Sequence, residues 1–141
     1  MTLKEYQRMT GAKHKYRNNP VYDEEGIRHD SKKEYARWRE LLLLQKVGEI
    51  SHLERQKKFV LRPGFQALTG EKVRAMSYIA DFYYYDETED RRHCQNMKTR
   101  WVIEDVKSPA TKKDRIYRLK RNEMLYRMSI GEIKGYTIKE T

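Results

Sequence analysis

The sequence predicts an α/β domain in which a helix, three strands, a second helix and a last strand follow one another. Two observations support this prediction. Residues 73–85 and 101–107 alternate apolar and polar side chains, as strands with two different faces do. Apolar residues recur instead at helical spacing in residues 32–47, and a looser apolar side with a basic remainder marks a helix in residues 112–128.

Composition limits the size of the protein and the nature of its partner. The chain has 141 residues, enough for one domain with one sizeable core, and it carries a net charge of +10. Such a surplus of positive charge favours an anionic polymer, most commonly nucleic acid. No apolar run approaches the length of a membrane span, so we expect no membrane partner. A single cysteine excludes an internal disulfide and predicts a cytoplasmic location.

The first 19 residues are basic and polar and lack an apolar period. We therefore predict a flexible basic arm at residues 1–19, followed by one domain at residues 20–141. Within the arm, Lys15 and Arg17 are candidates for contacts with DNA phosphates. A disordered start that happens to be positive would explain the same residues equally well.

An acid, Glu34, lies in the first turn of the predicted first helix. Ser31 and Glu34 have the spacing of a capping box, in which each residue satisfies a backbone N–H of the other. That structural role would be sufficient to explain Glu34. In the alternative reading, Glu34 is presented beside an active site, where it binds a metal ion or orients a water molecule.

Asp81 interrupts the long tyrosine-rich strand at a position where a branched or aromatic residue would be expected. An aspartate in mid-strand marks either a bulge or a function, and the sequence leaves both open. Strict alternation would place Ser77, Ile79, Asp81 and Tyr83 on one face and Tyr78, Ala80, Phe82 and Tyr84 on the other.

Asp105 and Lys107 share one face of the strand at residues 101–107, while Glu104 points to the opposite face. A solvated edge strand would account for an isolated Asp-x-Lys pair. The strand should, however, pair antiparallel with the Asp81 strand across the polar hairpin loop at residues 86–100. That pairing would bring Asp81 close to Asp105 and Lys107.

The second helix follows this strand directly, and Thr111 is a candidate for its N-cap. One side of the helix is apolar and the rest is basic, which is typical either of a solvated face or of a surface that contacts phosphates. The candidate DNA-binding residues here are Lys112, Lys113, Arg115, Arg118 and Lys120.

Three motifs in this order resemble the PD-(D/E)XK nuclease superfamily. They are residues 30–34, 78–82 and 102–107, and the resemblance covers most of residues 20–140. More narrowly, they are similar to small phage and prophage proteins that have been likened to Holliday junction resolvases. The resemblance implies a restriction-endonuclease-like αβββαβ core with a mixed central sheet flanked by helices. The sequence departs from the pattern at Ala80, where the motif has proline.

The resemblance also implies a metal-dependent DNA endonuclease that hydrolyses phosphodiester bonds, selects branched DNA by its structure and leaves a 5′-phosphate. Asp81, Asp105 and the backbone carbonyl of Val106 would hold Mg²⁺ or Mn²⁺. Lys107 would orient or deprotonate the attacking water, and Glu34 would complete the metal shell or hold that water. Two symmetric cuts in a four-way junction would require a homodimer.

Two other functions remain open at this stage. The first is a non-cleaving DNA-binding phage protein that uses its +10 surface for contacts with the DNA backbone. The second is a phage protein that binds a protein partner through the tyrosine-rich residues 78–85, which would then be exposed.

Overall fold

The computed structural model describes residues 20–22, 26, 28–29, 31–88 and 100–141. The predicted basic arm at residues 1–19, with Lys15 and Arg17, therefore lies outside the described residues and stays a prediction. The chain divides into two compact units, Met1–Ala36 and Arg37–Thr141. Among the described residues, no helix combines the length and the apolar character that crossing a membrane requires.

In the first unit, a short hairpin leads to the start of a helix. Strand β1 (Val21–Tyr22) pairs antiparallel with β2 (Arg28–His29). Helix α1 (Lys32–Lys46) begins here and continues into the second unit. The Glu34 N–H donates to Ser31 Oγ at 3.1 Å, so Ser31 caps the helix as the capping-box spacing predicts.

The second unit contains a mixed four-stranded sheet. Its strand order is β3-β6-β7-β8, in which β3, β6 and β7 are antiparallel neighbours and β8 runs parallel to β7. This mixture of helices with a mixed sheet confirms the α/β class. The remaining elements of the described chain are β3 (Ile50–Arg62), β4 (Phe65–Gln66), β5 (Lys72–Val73), β6 (Met76–Asp86), β7 (Trp101–Asp105), α2 (Pro109–Lys112), α3 (Arg115–Ser129) and β8 (Ile138–Glu140).

Two predicted elements are divided in the structure. The strand at residues 73–85 is β5 followed by β6, and β5 pairs with β4 in a separate small hairpin. The helix at residues 112–128 is α2 followed by α3. Thr111 lies inside α2, whose N-cap is Ser108, while Asp114 caps α3 by accepting a hydrogen bond from the Ile116 N–H at 3.1 Å. The prediction that Thr111 caps the long helix was therefore wrong.

The sheet has an apolar core on each face. Because neighbouring residues of a strand point to opposite faces, Val102 and Ile103 of β7 belong to different cores. On one face α3 contributes Met124 and Met128 to a core with Ile103. On the other face α1 contributes Trp38 and Leu41, and the Trp38 ring stacks on Phe82 at 5.9 Å. Helices thus cover both faces of the sheet.

Candidate active site

Strands β6 and β7 separate at Asp81 and Asp105. Their antiparallel pairing runs from Tyr85 opposite Trp101 to Phe82 opposite Glu104. The next pair in this register would be Asp81 and Asp105. There, carboxylate oxygens accept the hydrogen bonds that backbone carbonyls accept in the rest of the ladder. The Asp81 N–H donates to Asp105 Oδ1 at 3.1 Å, and the Val106 N–H donates to Asp81 Oδ2 at 2.8 Å. The two carboxylates are therefore held side by side at the point where the strands separate.

The backbone opposite Asp81 is distorted. Gln56 of β3 lies opposite Asp81 and has a φ of +53°, a left-handed conformation that costs a non-glycine residue about 1–3 kcal/mol. Gln56 Nε2 lies 3.5 Å from Asp81 Oδ1. Residues with such strain cluster at functional sites, so the distortion supports a functional role for this region.

Side-chain alternation along β6 shifts by one residue at Asp81. Ala80 and Tyr83 pack in the core beneath α3, whereas Phe82 and Tyr84 pack in the core beneath α1. Ala80 and Phe82 therefore face opposite sides of the sheet, so the prediction of strict alternation was wrong. The shift of alternation coincides with the paired carboxylates, whereas the register shifts in the pairing of β3 with β6 lie elsewhere, between Ser51 and Glu54 and between Val60 and Arg62.

Asp105 is completely buried, with 0% of its surface exposed, and no described residue donates a hydrogen bond to its Oδ2. Burial raises the pKa of this carboxyl group, while the charge of Lys107 and the Asp81 N–H oppose the increase. A buried carboxylate oxygen without a donor is destabilising unless a cation lies against it. Asp105 therefore has the environment expected of a carboxylate whose Oδ2 binds a cation.

Lys107 lies beside this carboxylate. Its Nζ is 3.6 Å from Asp105 Oδ1 and 5.3 Å from the centre of the Tyr117 ring, which belongs to α3. The backbone continues the parallel pairing beyond β7, because the Thr141 N–H donates to the Asp105 carbonyl and the Lys107 N–H donates to the Thr141 carbonyl. The ammonium group is thus positioned by a ring on one side and a carboxylate on the other.

Glu104, the neighbour of Asp105, has a different environment. Its side chain is also 0% exposed, but both of its oxygens have partners. Arg37 Nε donates to Oε2 at 2.6 Å and Arg37 Nη2 donates to Oε1 at 2.9 Å, while the Tyr84 hydroxyl donates to Oε1 at 2.9 Å. This pairing holds the pKa of Arg37 above its usual value. Glu104 is a satisfied structural acid, and Asp105 is not.

Sequence reasoning missed a third acid beside Asp105. Glu140 of β8 is its register partner in the parallel ladder. Arg121 of α3 donates from Nε to Glu140 Oε1 at 2.8 Å, and Lys112 Nζ lies 3.9 Å from Oε2. Burial, followed by the charges of Asp105 and Glu140, raises the pKa of Tyr117 above its usual value. Strand β8 corresponds to the predicted last strand, but no local pattern shows that it pairs with β7.

Glu34 belongs to the first unit and is described there by itself. It is buried at 3% exposure, and its Oε1 lies 3.9 Å from His29 Nδ1. The Ser31 half of the capping box is present, because the Glu34 N–H donates to Ser31 Oγ, and the reciprocal bond from the Glu34 side chain stays a prediction. The prediction that it also serves the site at Asp105 remains a prediction.

The predicted DNA-binding residues of the second helix lie on two elements. Lys112 is the last residue of α2, and Lys113 follows it. Arg115, Arg118 and Lys120 lie on α3. All are exposed except Lys120, which is half-buried. The Lys112 contact with Glu140 links this basic surface to the acid that neighbours Asp105.

The two aspartates could hold a divalent cation only with help from other oxygens. Among the described residues, no group of three or more His, Cys, Asp or Glu side chains is arranged to bind a metal ion. Mg²⁺, however, commonly takes one or two carboxylates and fills its remaining positions with water and substrate phosphates. The carboxylate pair with the unsatisfied Asp105 Oδ2 fits that mode of binding.

The tyrosine-rich strand does not offer the exposed surface that a protein-binding role would need. Tyr78, Tyr83 and Tyr84 are buried, with 3–7% of their surfaces exposed. Tyr83 and Tyr84 pack in the cores on the two faces of the sheet. Most of the surface of these side chains is therefore taken up by packing within the domain.

Comparison with known proteins identifies a family but no characterised relative. The model of a family described as "Protein of unknown function (DUF1064)" matches residues 13–139. No curated protein and no solved structure matches the chain.

Proposed function

We propose that this chain, which belongs to the DUF1064 family, is a metal-dependent DNA endonuclease with the αβββαβ core of the PD-(D/E)XK superfamily. One observation carries the proposal. Asp105 is buried, lies beside Asp81 and Lys107 where two strands separate, and has an oxygen that no described residue satisfies. The proposed substrate is branched DNA, cleaved to leave a 5′-phosphate.

The carboxylates account for the metal requirement. Asp81 and Asp105 would hold Mg²⁺ or Mn²⁺ together with the backbone carbonyl of Val106, because hard cations prefer oxygen ligands. When bound, the ion supplies charge neutralisation at the scissile phosphate and acidifies a coordinated water. The hydrogen bonds from the Asp81 and Val106 N–H groups fix the carboxylates before any ion binds. The protein thus presents an arranged pair of ligands.

Lys107 supplies a positive charge from the protein itself, in addition to the charge of the proposed metal ion. Held near Asp105 Oδ1 and the Tyr117 ring, Lys107 can orient the attacking water as an ammonium group, or accept a proton from that water when it is present as the neutral amine. The same group offsets the negative charge that develops on the phosphate oxygens in the transition state. Glu34 is proposed to complete the metal shell or to hold the water.

DNA binding is proposed for the basic surface of α2 and α3. Phosphate contacts fix the position of a duplex without reading its sequence. The candidate residues lie directly after β7 in the chain, so DNA bound along them would reach the aspartates at the end of that strand. These contacts are expected from Lys112, Lys113, Arg115, Arg118 and Lys120, with Lys15 and Arg17 of the predicted arm.

The test is a cleavage assay on labelled linear, flap, single-stranded and four-way DNAs with Mg²⁺ or Mn²⁺. We expect cleavage of branched substrates by the wild type and none by Asp105→Asn or Lys107→Ala. Matched controls are Glu71→Gln and Lys46→Ala, which change an exposed acid and an exposed lysine outside the site. Undiminished cleavage by either site variant would refute the assignment. DNA binding without cleavage by the wild type would favour the non-cleaving alternative.

A further inference from the structure

A cavity opens on the sheet at a distance from the paired aspartates. Its volume is about 390 Å³, within the range of small-molecule sites. Aromatic rings and cations line it, chiefly Tyr83, Trp101, Lys57 and Lys134. Neither the aspartates nor Lys107 belong to its lining, so its chemistry is separate from that of the candidate active site.

The aromatic part of the cavity is held in place before any ligand arrives. The Tyr83 and Trp101 rings stack with centres 4.9 Å apart and planes 22° apart. The Tyr83 hydroxyl donates to the Lys134 carbonyl at 3.0 Å, and the edge of Tyr85 packs against Trp101. A flat apolar ligand could therefore pack against a rigid aromatic surface.

Two lysines lie loosely over these rings. Lys57 Nζ is 5.8 Å from the centre of the Tyr83 ring, and Lys134 Nζ is 5.8 Å from the centre of the Trp101 ring. Both distances are close to the limit of about 6 Å for an effective cation–π contact, so the contacts are weak. The cation–π contacts therefore leave the ammonium groups able to pair with an anionic group attached to a planar ligand, and Lys57 would then share its charge between that group and Glu54.

The rim of the cavity carries polar groups and a strained residue. Glu54 Oε2 lies 2.9 Å from Lys57 Nζ and offers an acceptor for amino groups. His52 has a φ of +54° at an irregularity in the pairing of β3 with β6, and its ring lies 5.9 Å from Trp101. Such strain is typical of ligand clamps.

We propose that this cavity binds one unpaired nucleobase of DNA, stacked against Trp101 with its neighbouring phosphates paired to Lys57 and Lys134. Aromatic stacking with lysine contacts to phosphates is how proteins bind single-stranded DNA. Lys57 directly follows Gln56, which contacts Asp81, so β3 connects the cavity to the candidate active site. The inference rests on the proposed function for the identity of the polymer, and it names DNA with unpaired bases as the substrate class.

The test uses the fluorescence of Trp101. Of the two tryptophans, Trp38 is replaced by Phe, which preserves an aromatic ring against Phe82 and leaves Trp101 as the only tryptophan, which is excited selectively over the tyrosines. The full chain is titrated in EDTA with oligothymidylate, with blunt duplex DNA and with oligouridylate. We expect saturable quenching by oligothymidylate and much weaker quenching by the duplex. Equal quenching by the duplex, or no quenching, would overturn the proposal.

Affinity measured by anisotropy of a labelled oligothymidylate provides the second readout. Trp101→Leu should weaken binding roughly tenfold, and Trp101→Phe should restore most of the loss because an aromatic face is retained. Lys57→Ala should weaken binding and reduce its salt dependence. Unchanged affinity in Trp101→Leu would refute base stacking, and tighter binding of oligouridylate would overturn the assignment to DNA.

The failure of this inference can be told apart from the failure of the nuclease proposal. If both hold, Lys107→Ala loses cleavage and keeps the quenching of Trp101 by oligothymidylate. Quenching by a wild type that cuts none of the DNAs would leave the base-binding site and refute the nuclease. Cleavage of branched DNA without any response of Trp101 would refute the base-binding site alone.

Discussion

Neutralising Glu104 and neutralising Asp105 should change stability in opposite directions, although the two acids are neighbours. Both side chains are fully buried, but Glu104 receives a bidentate pair from Arg37 and a hydroxyl from Tyr84, whereas Asp105 keeps one oxygen without a donor. We therefore expect Glu104→Gln to destabilise the protein and Asp105→Asn to stabilise it when no metal is present.

The size of the Glu104 effect follows from its partners. Removing one member of a buried ion pair costs about 3–5 kcal/mol, because the other charge is left uncompensated. The Arg37 side chain is 20% exposed and can regain some hydration, so the lower end, about 3 kcal/mol, applies. For 141 residues this corresponds to a decrease in melting temperature of about 10 °C.

The Asp105 effect depends on pH, and its sign follows from the direction of the pKa shift. Burial raises the pKa of Asp105 above its value in the unfolded chain, about 3.9. The stability contributed by this group is therefore complete below about pH 4 and is lost as the pH rises through the folded-state pKa. Asparagine does not titrate, so the advantage of Asp105→Asn should increase as the pH is raised from 4 to 8.

Differential scanning calorimetry in EDTA over this pH range would measure both effects. Glu71→Gln provides the control for a neutralised acid at an exposed position. Equal destabilisation by Glu104→Gln and Asp105→Asn at pH 8 would refute the reasoning, since it would mean that Asp105 is as well satisfied as Glu104. An advantage of Asp105→Asn that did not change with pH would refute the role of its ionisation.

Three further predictions concern the metal, the basic surface and a helix cap. Mn²⁺ at about 100 times its dissociation constant should stabilise the wild type by about 2.7 kcal/mol, or about 9 °C by thermal melting, and should leave Asp105→Asn unchanged; an equal rise in the variant would show binding elsewhere. Arg118→Ala should lower the slope of log affinity against log salt for duplex DNA by about one, with Lys46→Ala as control, and an unchanged slope would remove Arg118 from the interface. Asp114→Ala should lower the free energy of unfolding in urea by about 1 kcal/mol, because α3 loses the side chain that accepts from the Ile116 N–H, and an unchanged value would show that the cap contributes nothing.

The elements that sequence alone predicted well are those whose pattern is repeated over several turns or residues. The apolar spacing of residues 32–47 gave α1 within one residue of its end, and Ser31 and Glu34 marked its start. The break between α2 and α3 was missed because Lys112 and Lys113 are acceptable within a helix. Asp114 was the available signal, since aspartate is favoured at helix N-caps and here accepts from the Ile116 N–H.

The part of the site that sequence could not provide depends on pairing between distant strands. The neighbourhood of Asp105 and Lys107 follows from their spacing on one strand, and antiparallel pairing of consecutive strands brought Asp81 to them. The shift of alternation at Asp81 lies opposite Gln56, whose φ is positive, and the residue pattern of β6 alone does not predict it. Glu140 adjoins Asp105 through a parallel pairing that no local pattern encodes.

At Asp81 and Asp105, carboxylate oxygens accept hydrogen bonds from backbone N–H groups. The two amide protons that donate these bonds can serve as spectroscopic probes of the site. The amide protons of Asp81 and Val106 are bonded to carboxylate oxygens, so their chemical shifts and exchange rates should follow the charge on those carboxylates. The amide of Tyr83, inside the ordinary ladder of β6, serves as an internal reference. Protonation of the aspartates, or arrival of a cation, could thus be observed in an isotope-labelled sample with no nucleic acid present.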